Sequence, residues 1–118
     1  MISGNEVTAF LADFKIKLEI WGVTFLDGRE KNLQTLLDLD IRTEFRRNIL
    51  KELKKEDYCE GPIEDTWQGM APMWVFGKMI KEKEIYIKIT LGKPGLNVIC
   101  ISFHTAEHPM KYPLKVKQ

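Results

Sequence analysis

The chain has 118 residues, of which 44% are apolar and 30% charged, and its formal net charge is +1. This length predicts one domain with a single hydrophobic core, and the composition is that of an ordinary globular protein. No apolar run approaches the roughly 20 residues of a membrane span, and charged residues interrupt the N-terminal apolar stretch where a signal peptide would be continuous. The expected location is therefore cytoplasmic, with no membrane partner.

Charge is divided unevenly along the chain. Residues 1–76 hold ten Lys or Arg against fourteen Asp or Glu, whereas residues 77–118 hold eight Lys against three Glu. The basic C-terminal part predicts attraction for phosphates or for an acidic partner. A simpler interpretation, that lysines on strand edges prevent aggregation, accounts for about half of them.

The two cysteines, Cys59 and Cys100, are far apart and form no CxxC motif. A disulfide is not expected in a reducing compartment, and the spacing supports no zinc site. No cofactor and no metal are predicted.

The first half of the chain has helical patterns. Ser3 to Glu6 fit a capping box, which predicts a helix from about residue 4 to Gly22. A short strand at 23–26, a turn at Asp27-Gly28 and two further helices follow, the last with Arg42, Arg46 and Arg47 on a salt-bridged surface. The residues expected to face the core are Val7, Phe10, Leu11, Phe14, Leu18 and Trp21 in the first helix, Leu33, Leu36, Leu37 and Leu39 in the second, and Phe45, Ile49, Leu50 and Leu53 in the third.

The second half begins with a predicted loop at residues 57–72, which Gly61-Pro62, Gly69 and Pro72 punctuate. Three strand-like runs follow at 73–80, 84–91 and 97–104. Short turns join them, so an antiparallel meander is the expected topology.

The last two strands alternate strictly between apolar and polar residues. Alternate side chains leave a strand on opposite faces. The sequence therefore predicts an apolar row from each strand and one shared polar face. The apolar rows are Ile85, Ile87 and Ile89, then Ile99, Ile101 and Phe103; the polar face holds Tyr86, Lys88, Ser102 and His104.

The predicted fold class is α+β, a small antiparallel sheet with N-terminal helices packed on one face. The chain is expected to be one domain, residues 1–118. It is divided into a helical region (1–56), a loop (57–72), the sheet (73–104) and a C-terminal tail (105–118).

Tyr86, Lys88 and His104 are the candidate catalytic residues. Metal-free RNA cleavage needs a base for the ribose 2′-hydroxyl, a cation for the phosphorane charge and an acid for the leaving 5′-oxygen. Histidine titrates near neutral pH, lysine is a point cation suited to phosphate, and tyrosine can hydrogen-bond or stack on a base. An ordinary solvated sheet face has similar residues, so that interpretation stays open. His108 is expected in a turn or at a rim.

Further candidates for binding RNA are Lys78, Trp74 and Lys111, although Trp74 also fits a buried strand position. An acidic cluster in the loop offers an alternative site of metal-dependent chemistry, although scattered loop acids are usually just solvated. That cluster is Asp57, Glu60, Glu64 and Asp65.

Four short motifs resemble one known family. They are Asp57-Tyr58 and the strand segments Met73–Phe76, Ile85–Ile89 and Ile99–Phe103. Together they are similar to the motility quorum-sensing regulator (MqsR) toxins of bacterial type II toxin–antitoxin systems, over roughly residues 41–104.

The resemblance implies a RelE-like ribonuclease fold, with helices on one sheet face and RNA on the other. It places the family's strand tyrosine on Tyr86, the neighbouring lysine on Lys88, and the lysine after the Ser-Phe step on His104. Cys59 and Val75 stand where the family has a lysine and a glutamine.

The implied function is metal-independent cleavage of mRNA by a cytoplasmic toxin that a cognate antitoxin neutralises. Two alternatives remain: a non-catalytic module that binds RNA or protein with the same basic sheet, and a small structural partner with no site. An enzyme predicts that the three head groups lie within about 4–8 Å of one phosphate-sized position, whereas a solvated face predicts that they lie far apart.

Overall fold

The structure, a computed structural model, describes residues 2–64 and 69–115. The helices are α1 (Gly4–Trp21), α2 (Glu30–Leu39) and α3 (Thr43–Lys51), and a 3-10 turn spans Lys55–Asp57. The strands are β1 (Val23–Phe25), β2 (Tyr58–Ile63), β3 (Met73–Ile80), β4 (Lys83–Thr90) and β5 (Val98–Thr105). Among the helices of the described residues, none combines the length and apolarity needed to cross a membrane.

The strands form one five-stranded sheet in the order β1-β5-β4-β3-β2. The predicted α+β class and the antiparallel β3–β4–β5 meander are confirmed. One pair departs from antiparallel order, because β1 pairs with β5 in parallel. The predicted loop is wrong at Tyr58–Ile63, which pair with β3 as an edge strand. Pro62 is tolerated there because an edge strand does not need every N–H for the ladder.

Helix α1 covers one face of the sheet and supplies much of the core. The Ser3 hydroxyl accepts a hydrogen bond from the Glu6 N–H at 3.2 Å, so the helix begins where predicted. The Phe10 ring stacks on Trp74, with ring centroids 4.3 Å apart. Trp21 departs from the prediction: it is the last residue of the helix and its side chain is 53% exposed.

Helix α3 buries a charged residue, Arg46, together with its apolar side chains. Ile49 and Leu50, and Leu53 just beyond the helix, are buried as predicted, but Phe45 is exposed. Arg46, expected on a salt-bridged surface, is buried instead. Its guanidinium makes a two-pronged ion pair with Asp27, at 2.6 and 3.1 Å, and lies 3.9 Å from the Phe25 ring centroid. This planar pairing holds β1 beside α3.

Strand β5 carries a bulge that changes its facing pattern. Lys88 pairs with Ser102 and Ile89 pairs with Cys100, so Ile101 is an extra residue in β5. The apolar row in the core is therefore Val98, Cys100 and Phe103 rather than the predicted Ile99, Ile101 and Phe103. The bulge leaves His104 directly opposite Tyr86.

Helix α2 meets its prediction only in part, because Leu36 and Leu39 pack against the core but polar residues also turn inward. Leu33 and Leu37 are exposed, whereas Asn32 and Thr35 are buried. The Asn32 amide donates to the Ile101 carbonyl and its oxygen accepts from the Phe103 N–H, both at 3.0 Å. The Thr35 hydroxyl accepts from the Thr105 N–H at 2.9 Å. Because β1 ends at Phe25, these side chains satisfy the remaining edge of β5.

Candidate active site

A cleft of about 860 Å³ lies on the sheet face opposite α1. Its floor is formed by β3, β4 and β5, and its sides by the start of α2, by β2 and by the segment that follows β5. The floor residues are Val75, Tyr86, Lys88, Ser102 and His104, and the side residues include Arg29, Lys31, Cys59, Glu60 and residues 106–111.

The three predicted catalytic residues meet on this floor. Tyr86 and His104 are direct cross-strand partners, and their rings stack with centroids 5.1 Å apart and planes 12° apart. The Lys88 ammonium lies 5.9 Å from the Tyr86 ring centroid. The three side chains therefore lie side by side on one part of the floor.

Among the described residues, the His104 ring makes one hydrogen-bond contact. Its Nδ1 lies 3.0 Å from the Thr105 carbonyl oxygen. A carbonyl oxygen only accepts hydrogen bonds, so Nδ1 carries the proton in this contact. In the neutral ring Nε2 then holds the lone pair and is able to accept a proton.

Lys88 contributes the ammonium group of the cleft floor. No carboxylate within residues 2–64 and 69–115 lies within 4.0 Å of its ammonium. At the rim, by contrast, Lys31 forms an ion pair with Glu107, and this contact lowers the pKa of the Glu107 carboxyl. Among the described residues, the Lys88 ammonium is therefore not neutralised by an ion pair.

Two other ionisable groups of the cleft are held neutral. Burial raises the pKa of the Tyr86 phenol, and the neighbouring Glu60 raises it further. Burial likewise raises the pKa of the Cys59 thiol to about 12, with Glu84, Asp57 and Glu60 adding to the effect. At neutral pH the Tyr86 hydroxyl is thus a hydrogen-bond donor, and Cys59 is not a nucleophile.

The predicted RNA-binding residues lie in three different environments. Lys111 lines the cleft. Trp74 is buried against Phe10 on the helical face, so the expectation that it stacks on a base is wrong. Lys78 is in the same strand phase as Trp74 and forms an ion pair with Asp57 at 3.0 Å, which places it away from the cleft.

The described members of the acidic cluster are not grouped as a metal site. Asp57 is engaged by Lys78 and by the Lys54 N–H, at 3.0 and 2.9 Å. Within the parts of the chain that the structure describes, no three His, Cys, Asp or Glu side chains are grouped to hold a metal ion. Asp65 lies outside those parts.

Sequence reasoning missed the sides of the cleft. Arg29 lines the cleft from the start of α2. In the sequence it is more than fifty residues from every floor residue except Val75. Residues 106–111 line it from what was predicted to be a tail, and His108 is at the rim as expected. The proline at 109 and the nearby His and Lys were the available signals, but nothing in their spacing indicates that the chain folds back.

Comparison of the chain with protein-family models, with curated proteins and with solved structures found no significant match. The resemblance to the MqsR toxins stays a prediction.

Proposed function

We propose that the protein is a metal-independent endoribonuclease, an mRNA-cleaving toxin of a type II toxin–antitoxin system. The observation that carries the proposal is the convergence of Tyr86, Lys88 and His104 on one cleft floor, with the Tyr86 and His104 rings stacked at 5.1 Å. Their chemical types supply the base, the cation and the hydrogen-bond donor that phosphodiester cleavage needs.

In the proposed reaction, His104 Nε2 removes the proton from a ribose 2′-hydroxyl. The 2′-oxygen attacks the adjacent phosphorus, and Lys88 offsets the charge that develops on the phosphoryl oxygens. The Tyr86 hydroxyl, which stays protonated because burial raises its pKa, donates a hydrogen bond to the leaving 5′-oxygen. The P–O5′ bond breaks, the protonated His104 returns its proton to the 5′-oxygen, and a 2′,3′-cyclic phosphate remains on the other product.

The proposed partners are single-stranded mRNA and a cognate antitoxin protein, in the cytoplasm. The excess of lysine in residues 77–118 supports both, since RNA and an acidic protein segment are each attracted to such a surface. We expect binding of either partner to weaken as salt concentration rises.

The test is RNA cleavage by purified protein in EDTA. We expect the wild type to cut a mixed mRNA pool, and His104→Ala and Lys88→Ala each to lose about 10²–10⁴ in rate. Lys83→Ala is the matched control, because Lys83 is an exposed lysine of the same strand that does not line the cleft. It should cleave at the wild-type rate.

The non-catalytic alternative makes a different prediction in the same assay. A binding module would retain an RNA oligonucleotide in a gel-shift experiment without shortening it. That outcome, or wild-type cleavage by the His104→Ala protein, would contradict the proposal.

A further inference from the structure

The segment after β5 folds back over the cleft and is anchored at three points by one residue. We call residues 106–112 the C-terminal wall. The Glu84 carbonyl accepts a hydrogen bond from the Ala106 N–H at 2.8 Å. The Glu84 carboxylate accepts one from the Met110 N–H at 2.9 Å and one from the Tyr112 hydroxyl at 2.7 Å. Both ends of the wall are therefore attached to β4.

A second feature fits the same anchor. Gly77 of β3 is buried, and the Tyr112 ring lies directly on its backbone. A Cβ at position 77 would come within 2.9 Å of two Tyr112 ring carbons and closer still to the hydroxyl oxygen. The Tyr112 ring occupies the space that any side chain at position 77 would need, so this close approach requires glycine.

The anchored residues flank a cation. Lys111 stands between Met110 and Tyr112, the two residues that the Glu84 carboxylate holds, and it lines the cleft. Lys111 thus lines the cleft from the wall, whereas Lys88 lines it from the floor. A nucleic-acid strand with one phosphate at Lys88 has further phosphates along its backbone for a second cation to bind.

We propose that Glu84 is a positioning residue, which fixes the C-terminal wall so that Lys111 binds a phosphate of the RNA strand next to the one that is cleaved. This inference rests on the proposed function. It assigns the wall to substrate binding and leaves the bond-breaking step to the floor residues.

The direction in which Glu84→Ala changes the affinity for RNA distinguishes a positioning role from a purely electrostatic one. Glu84→Ala removes a negative charge close to the cleft, and that change alone strengthens the binding of a phosphate. Positioning predicts the opposite result, because the released wall no longer presents Lys111. Glu84→Gln removes the same charge but keeps an oxygen acceptor for the Met110 N–H and an amide donor for the Tyr112 hydroxyl oxygen.

The experiment measures the affinity of each variant for a 2′-O-methyl oligonucleotide, a probe that lacks the reacting hydroxyl, by fluorescence anisotropy at several salt concentrations. We expect Lys111→Ala and Glu84→Ala each to bind about tenfold more weakly than the wild type and Glu84→Gln to bind at least as tightly. The slope of log affinity against log salt should fall by about 0.7 in the two weakened variants, since one phosphate contact on a single strand is lost.

A double-mutant cycle tests the anchor independently. Gly77→Ala displaces the Tyr112 ring and Tyr112→Ala removes it, so both release the same wall. We expect the double variant to bind no more weakly than either single variant.

The outcomes distinguish this inference from the proposed function. Tight binding by Glu84→Ala, an unchanged salt slope in Lys111→Ala or additive losses at 77 and 112 would overturn the wall inference and leave the proposed function standing. A wild type that neither binds the probe nor cleaves RNA would overturn both.

Discussion

The Tyr86 and His104 rings lie face to face, 5.1 Å apart and within 12° of parallel, as direct partners across β4 and β5. Each ring limits the positions that the other can adopt. Any change at Tyr86 therefore acts on His104 as well as on its own hydroxyl.

Two substitutions at Tyr86 separate the ring from the hydroxyl. Tyr86→Phe keeps the stack and loses only the donor, whereas Tyr86→Ala also releases the His104 ring. We expect the loss in kcat/KM for RNA cleavage to be greater for Tyr86→Ala than for Tyr86→Phe. Equal losses would mean that the stack does not position His104.

The edge of β5 gives a prediction about stability. Asn32 satisfies two carbonyls and one N–H, so Asn32→Ala should lower the free energy of unfolding by at least about 2 kcal/mol. Asn32→Asp should cost more, because a carboxylate cannot donate to either carbonyl. Lys31→Ala, on the exposed face of the same helix turn, should cost less than about 1 kcal/mol in the same urea titration. A small effect for Asn32→Ala would contradict the edge assignment.

Ile87 and Lys88, adjacent residues of β4, should differ in how much their substitution by alanine lowers stability. Ile87 is fully buried, so Ile87→Ala should lower the free energy of unfolding by about 2–5 kcal/mol. Ile101→Ala should fall in the same range, because Ile101 is also buried. Lys88→Ala should leave stability nearly unchanged while it removes cleavage. Denaturant melts that show comparable losses at positions 87 and 88 would make Lys88 a structural residue.

The Cys59 thiol should be unreactive. Its pKa is raised to about 12 by burial, so at pH 8 alkylation should be at least about a hundredfold slower in the folded protein than in the chain unfolded in guanidinium. The same shift makes stability pH-dependent. Between pH 9 and pH 12 the unfolded chain loses a proton that the folded protein keeps, so the free energy of unfolding falls as pH rises. Peptide mapping that shows rapid alkylation at Cys59 in the folded state would contradict this.

The floor of the site was predictable because it follows from local pattern. Strict alternation in β4 places Tyr86 and Lys88 on one face whatever the rest of the chain does. His104 was predicted on the same face, and it lies there even though the bulge at Ile101 shifts the first part of β5. The predicted apolar row of β5 was wrong because of this bulge, which the alternation of apolar and polar residues does not reveal.

The walls were not predictable because they depend on topology. Leu36 and Leu39 of α2 pack against the core as predicted, but the edge of β5 beyond β1 needs hydrogen-bond partners, so Asn32 and Thr35 turn inward as well. In the sequence Glu84 resembles an ordinary exposed strand residue, and only the fold brings the chain after β5 into contact with it. Trp74 was an ambiguous residue, and packing against Phe10 decided its position.

The most direct test of the central claim is the chemistry of the RNA ends that the wild-type protein leaves in EDTA. Attack by the 2′-oxygen predicts a 5′-hydroxyl on one fragment and a 2′,3′-cyclic phosphate on the other, and it predicts no cut where a single 2′-deoxy nucleotide replaces the ribose that supplies the attacking oxygen. Mass spectrometry of the fragments identifies both ends. Fragments with 5′-phosphate and 3′-hydroxyl ends, or cleavage at the 2′-deoxy position, would contradict the account.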